Sequence, residues 1–199
     1  MVPTRNFDLL ERFTTKFSGN NVLSEKIEGK WKFYNSEKYS QLSHQFAFGL
    51  LELGFKKGDK IMTVTNNRPQ WNFVDMGMSI LGVVHVPVYT SMNAEEYNYI
   101  MKHSDARMVI VSDQKLYGLI KPEANKIKAV KHFYTFDEIE KAANWSEVLE
   151  KGKKASLNNH QRFFFKSQFH KHMYEKWAKK YIVRKKLIWK VIQIIIIIK

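Results

Sequence analysis

The chain has 199 residues, 44% of them apolar and 26% charged, with a formal net charge of +14. That length buries a core of one or two domains, and the composition excludes a wholly disordered, collagen-like or disulfide-stapled protein. With no cysteine there is no disulfide and no thiolate metal site, so cysteine usage leaves the redox compartment open.

Met1 to Phe17 is polar, carries Arg5, Asp8, Glu11 and Arg12, and lacks the apolar stretch of a secretory signal. Residues 25–35, with Glu28-Gly29 at their centre, predict a short hairpin. Tyr39, Leu42, Phe46, Leu50 and Leu53 recur at three- and four-residue steps and predict an amphipathic helix over 39–53. Gly54 stops it, and Lys57-Gly58-Asp59 turns the chain. Residues 60–65 form a short apolar strand. A helix follows over 69–81, with Pro69 suited to its first turn. Residues 83–88 read as a strand buried on both faces, 94–103 as a helix and 108–112 as another strand. The segments 115–120, 132–135 and 137–143 continue the pattern more weakly. Strands alternating with helices imply parallel βαβ units, so the fold class is α/β with a mainly parallel sheet.

Residue chemistry by itself names no nucleophile, base or metal ligand. There is no G-x-G-x-x-G and no Walker-type run ending in Gly-Lys-Ser/Thr. His44, His85 and His103 stand singly, and His85, inside an apolar strand, reads as a packed core residue. Glu95 and Glu96 open a helix, and Glu138 and Glu140 sit near another expected start, where the helix dipole favours them. Thr90 and Ser91 follow a strand's C-terminal end, the edge at which open α/β sheets bind ligands. Asn144-Trp145-Ser146 fits a glycosylation sequon, but without a signal peptide it has no route to that machinery.

The chemistry changes near residue 154. Residues 155–199 hold 11 Lys/Arg and one acid, Glu175, so most of the basicity lies there; all 9 Gly and all 4 Pro lie at or before Gly152. The division is therefore into a body, 1–154, and a basic tail, 155–199. Phe, Tyr, Met, Ile, Asn and Lys, whose codons are rich in A and T, make up 26 of the 42 residues in 158–199 against 61 of the first 157. Such a shift reads either as AT-rich DNA translated out of frame or as a genuine basic tail. His160, His170 and His172 could hold a soft metal weakly. Lys179, Lys180, Arg184, Lys185 and Lys186, interleaved with Trp177, Tyr181 and Trp189, have the composition of a membrane-surface or nucleic-acid segment. Leu187 to Ile198 is too short and polar to span a bilayer, and Ile194 to Ile198 is prone to aggregate.

Five segments follow in order: Tyr39-Ser-Gln-Leu42, Gly49-Leu-Leu-Glu-Leu-Gly-Phe-Lys-Lys-Gly-Asp-Lys60, Asn67-Arg-Pro-Gln-Trp71, Gly82-Val-Val-His-Val-Pro-Val-Tyr89 and Tyr99-Ile-Met-Lys-His-Ser-Asp105. Together they resemble the start of the adenylate-forming (AMP-binding) ligases, and within them the long-chain fatty acyl-CoA synthetases. The resemblance covers about residues 5–150. It implies the N-terminal part of a large domain whose sheet supports the active site and part of the acyl pocket.

The resemblance further implies a reaction in which ATP and a fatty acid give an acyl-adenylate and pyrophosphate, after which CoA displaces AMP. ATP, Mg²⁺ and CoA are the cofactors it implies, with a long-chain fatty acid as partner and a cytoplasmic location, peripheral to a membrane through the tail. The family's loop of the type T-S-G-T-T-G-x-P-K-G is expected shortly after Lys154, where Leu157-Asn-Asn-His-Gln-Arg-Phe-Phe-Phe165 stands instead. The expectation is thus a truncated fragment, inactive alone, with no catalytic, cofactor-binding or metal-binding residue carried over and no cofactor held tightly. In Asn67-Arg-Pro-Gln-Trp71 the expected roles are structural: Asn67 near a helix start, Pro69 in its first turn, Trp71 and Phe73 packing. The competing reading is a non-catalytic module that presents the basic aromatic tail to anionic membrane or nucleic acid.

Overall fold

A computed structural model describes residues 5–160. The chain divides into two units, Met1–Leu157 and Asn158–Lys199. His170, His172, the Lys179–Lys186 cluster and Leu187–Ile198 lie outside the described residues, as does the side chain of His160.

The chain opens with a helix, α1 (Asp8–Thr15), whose Leu10 is fully buried. Strands β1 (Leu23–Ile27) and β2 (Lys30–Tyr34) then form the expected antiparallel hairpin. Glu28 (φ 48°) and Gly29 (φ 82°) make its two-residue turn, with both central residues left-handed as the twist of a tight hairpin requires. Helix α2 (Ser36–Glu52) starts three residues before the expected Tyr39, because the Asn35 side chain caps it by accepting from the Lys38 N–H. Its C-terminal half is buried nearly all round, from Phe46 to Leu50.

The remaining elements alternate: β3 (Lys60–Val64), α3 (Pro69–Leu81), β4 (Val84–Val88), α4 (Ala94–Ser104), β5 (Met108–Val111), α5 (Gln114–Asn125), β6 (His132–Thr135) and α6 (Ser146–His160). Four strands form one parallel sheet in the order β4-β3-β5-β6. The α/β reading therefore stands. Each helix start has a local cause. Pro69 occupies the first turn of α3, Asn93 and Glu96 form a reciprocal capping box on α4, and Asp113 caps α5.

Side chains alternate across the sheet. Met62, Val64, Val109, Val111 and Phe133 face α4 and α5, packing with Tyr97, Met101, Leu116 and Ile120. The opposite face receives α3, and α2 packs on α3 where a Cβ at Gly77 would stand 2.7 Å from the Ser43 carbonyl. Helix α6 lies still closer to α2. A Cβ on Gly152 would meet the Gln45 carbonyl oxygen at 1.8 Å, and one on Gly49 would meet that of Val148 at 2.0 Å. Only glycine permits that approach.

Two expectations need correction. Strand β4 is not buried on both faces: it is the sheet's outer strand, with Val84 48% exposed and Pro87 tolerated because an edge strand has unpaired backbone. Its valine-rich run resembles a central strand because one face still packs on the core. Residues 137–143 do not open a helix, so the dipole account of Glu138 and Glu140 fails. The chain there is irregular, with Lys141 at φ 62°, and Thr135 ties it down by bonding both the Ala143 carbonyl and the Trp145 N–H. The helix begins only at Ser146, where Asn144 accepts from the Ser146 N–H and Glu147 accepts from the Asn144 N–H.

Candidate functional site

In an open parallel sheet, ligands bind beyond the strands' C-terminal ends, where successive connections leave in opposite directions. Here β3 leads through α3 outward to β4, while β5 leads through α5 to β6 on the other side. The switch point therefore lies between the ends of β3 and β5.

Arg68 occupies it. The residue ends the loop after β3, and the backbone turns into α3 immediately afterwards at Pro69. Its guanidinium donates to Asp137 Oδ1 at 2.8 Å, to Gln70 Oε1 at 3.0 Å and to the Ser112 carbonyl at 3.5 Å, and lies 5.0 Å over the Phe136 ring. One side chain thus ties together the ends of β3, β5 and β6. The network continues outward: Gln70 donates to both Glu25 oxygens, at 2.9 and 3.1 Å, and Glu25 also accepts from the Tyr34 hydroxyl. Burial, followed by this hydrogen bond and the Glu25 charge, pushes the Tyr34 hydroxyl well above its ordinary range.

A second cluster sits on the sheet face beneath α3. His85 Nδ1 is 2.7 Å from Asp75 Oδ1, and its Nε2 is 2.7 Å from Thr63 Oγ1. The Trp71 ring lies 5.1 Å from the imidazole. His85 is therefore a polar bridge from the outer strand to β3 and α3, not a plain core residue. The Asp-His-Thr order has the form of a proton relay, but Thr63 is 1% exposed and closed off from solvent. Its work is structural, since a buried hydroxyl needs a partner.

The other sequence candidates remain apart. His44 is buried in α2 and bonds the Ser40 carbonyl, and His103 stacks on Tyr99 at the exposed end of α4. Thr90 and Ser91 do lie at the C-terminal edge, but beyond the outer strand rather than at the switch point. Asn144 gives its amide to the Phe136 and Asp137 carbonyls. In Asn67-Arg-Pro-Gln-Trp71 the structure places Asn67 before the helix, Pro69 in its first turn, Trp71 on His85, and Phe73 between Tyr34 and Tyr39. The sequence reading passed over Arg68, Asp137, Asp75 and Thr63. The available signal was positional: a cation just after one parallel strand and an acid just after another meet at the same edge.

The donors at this edge do not fit a nucleotide as they stand. The Arg68 guanidinium is directed at the chain's own oxygens, and no group of three or more His, Asp or Glu suited to a metal occurs among the described residues. No step involving ATP, CoA or Mg²⁺ is therefore assigned to these side chains.

A parallel sheet, helices on both faces and a loop-built edge at the switch point define an α/β protein on the ligand-binding plan of open sheets. The chain belongs to the family of AMP-binding enzymes, whose profile matches residues 10–175. Long chain acyl-CoA synthetase 1 of Arabidopsis thaliana is 27% identical over 143 residues, which is 68% of this chain and 21% of that protein. Mouse long-chain-fatty-acid–CoA ligase ACSBG2 is 24% identical over 151 residues, covering 73% of this chain and 23% of the relative. The chain thus spans less than a quarter of the length of these curated relatives.

Among solved structures, the anthranilate CoA ligase AuaEII in complex with anthranoyl-AMP superposes with a TM-score of 0.62 at 20% identity, over 75% of this chain and 28% of the other. Coronafacic acid ligase from Pectobacterium brasiliense gives 0.63 at 19% identity, over 74% and 29%. Both share the fold.

Proposed function

We propose that this chain is part of the large domain of a long-chain fatty acid–CoA ligase, supplying scaffold rather than chemistry. The whole enzyme would join a fatty acid to CoA through an acyl-adenylate, using ATP and Mg²⁺, in the cytoplasm. The observation that carries the reading is the ordered set of five motif segments. They fall on α2, on the turn into β3, on the Arg68 loop with α3, on β4, and on α4. The similarity to long-chain acyl-CoA synthetases supports the substrate class.

What these residues do is hold geometry. The Arg68 clamp fixes three strand ends relative to one another, and a rigid edge is what an active site that must align two anions requires of its support. The chain contains no Thr/Ser/Gly-rich phosphate loop, so it is inactive alone and is a truncated form of the enzyme.

Two measurements test this. Palmitate-dependent ATP–pyrophosphate exchange by the purified chain should equal the no-protein blank, and activity above it overturns the assignment of scaffold alone. The DNA from codon 150 onward, read in three frames, should encode a Thr-Ser-Gly-Thr-Thr-Gly-like loop. Its absence from every frame overturns the truncation and leaves 155–199 as a genuine tail, favouring the binding module.

A further inference from the structure

We propose that Glu25, on the β1–β2 hairpin, is a positioning residue for Arg68: through Gln70 it fixes how the guanidinium is held at the switch point. That this position serves catalysis rests on the ligase reading; the relay itself does not. Gln70 stands between the two charges. Its Oε1 accepts from Arg68 Nε at 3.0 Å, and its Nε2 donates to both Glu25 oxygens, at 2.9 and 3.1 Å. The chemistry of the two ends leaves the amide one orientation. A guanidinium only donates, so the amide oxygen must face Arg68; a carboxylate only accepts, so the amide NH2 must face Glu25. Turning the amide over would set N–H against N–H at one end and oxygen against carboxylate at the other, with all three hydrogen bonds lost.

Glu25 is itself held in place. Its side chain is 13% exposed, its Oε1 also accepts from the Tyr34 hydroxyl, and Lys32 Nζ lies 3.8 Å from the same oxygen. Tyr34 is buried against Phe73 of α3, with 5.1 Å between ring centroids. The hairpin is therefore docked by an apolar contact that does not need the carboxylate. A residue that only fastened the hairpin could be apolar, whereas one that orients an amide must be an acceptor. The orientation is passed on to the guanidinium. With Nε engaged by Gln70, the other donors of the planar fork are aimed at Asp137 Oδ1, at 2.8 Å, and at the Ser112 carbonyl, at 3.5 Å. Those acceptors lie just past the ends of β6 and β5. A hairpin 45 residues upstream of Gln70 thus sets geometry at the ligand-binding edge, as an outer layer of hydrogen bonds does for a functional side chain.

The test uses the full 199-residue chain labelled with nitrogen-15, in which the Arg68 Nε–Hε signal is assigned by its loss in Arg68→Lys. Gln70→Ala, which removes the acceptor, should speed exchange of this proton with water about fivefold. Glu25→Ala, which leaves both Gln70 and Arg68 in place, should speed it as well. The second measurement is a pH profile of stability. Gln70→Glu alone sets two carboxylates face to face, where a shared proton is held in the folded state. Its stability, relative to the wild type, should therefore fall as pH rises from about 4 to about 7. Glu25→Gln/Gln70→Glu exchanges the two groups, restores an acceptor for Arg68 and a donor between the pair, and should lose that extra slope. The exchanged variant also decides the matter if Glu25→Ala loosens the hairpin. Arg68 exchange unchanged by Glu25→Ala, or identical pH profiles for Gln70→Glu and the exchanged variant, overturns the proposal and leaves Gln70 a local partner of Arg68. Neither readout uses ATP or a fatty acid, so the relay can fail while the ligase reading stands, and the reverse.

Discussion

Gly152→Ala should unfold the protein more easily, although alanine is the better helix former. The added methyl would stand 1.8 Å from the Gln45 carbonyl oxygen and 2.7 Å from the Gly49 nitrogen, both backbone atoms that cannot rotate away. Restoring ordinary contact moves α6 about 1.5 Å from α2, and a gap of that size forfeits most of the dispersion attraction along the seam. Val148, fully buried in the same seam, loses packing with it. Overpacking costs about 1–3 kcal/mol, the loosened Val148 about 1 kcal/mol more, and helix propensity returns about 1 kcal/mol. The net is about 2 kcal/mol of destabilisation, equivalent to about 4–8 °C in Tm for a chain of this size. Gly118→Ala is the control: it lies in α5 with nothing within 4 Å of the new methyl, so propensity acts alone and stabilises by up to about 1 kcal/mol. Urea denaturation of the two variants decides. If Gly152→Ala matches or exceeds the wild type, the α2–α6 seam is not packed as described.

Three further outcomes are expected. Burial, reinforced by the Asp75 charge, pushes the Tyr39 hydroxyl up to about 12, above its value of about 10 in the unfolded chain. The stability this group contributes is therefore full below pH 10 and is lost as pH rises from 10 to 12, and Tyr39→Phe should flatten alkaline denaturation across that window. His132 has the opposite sign. Burial first, then Arg107 and Lys151, lower it beneath the ordinary histidine value, so the unfolded chain takes up its proton first and stability falls as pH drops below about 6.5. His132→Gln should remove that part of the acid slope, and an unchanged slope refutes it. Thr63→Val and Asp75→Ala, measured singly and together, should couple by about 0.5–1 kcal/mol through His85, and strict additivity would dissolve the bridge.

Much of this fold is visible in local sequence. The periodicity of 69–81 with Pro69 at its start gives α3 to the residue, and Glu28-Gly29 marks the hairpin turn because both positions must be left-handed. The outer position of β4 is not visible, because one packed face and an unpaired edge yield the same valine-rich run as two packed faces. Residues 137–143 mislead for a related reason: acids before a helix look alike whether the helix starts at once or after a strand-bound loop. The clamp is the least legible part. Arg68 and Asp137 are 69 residues apart and meet only once the strand order is known. Likewise Asp75 and Thr63 reach His85 from a helix above and a strand beside it, which no spacing rule encodes.

The strand order also bears on when the structure can form. Every pairing in the sheet lies within residues 60–135, the most distant being β3 with β5 at Ile61 and Met108. A chain made from the N-terminus can close this sheet, and seat Asp137 on Arg68, as soon as those residues leave the ribosome. The sheet edge would then be complete before the residues that follow it are synthesised, so later segments would fold onto a finished support. The order of assembly would run from support to site.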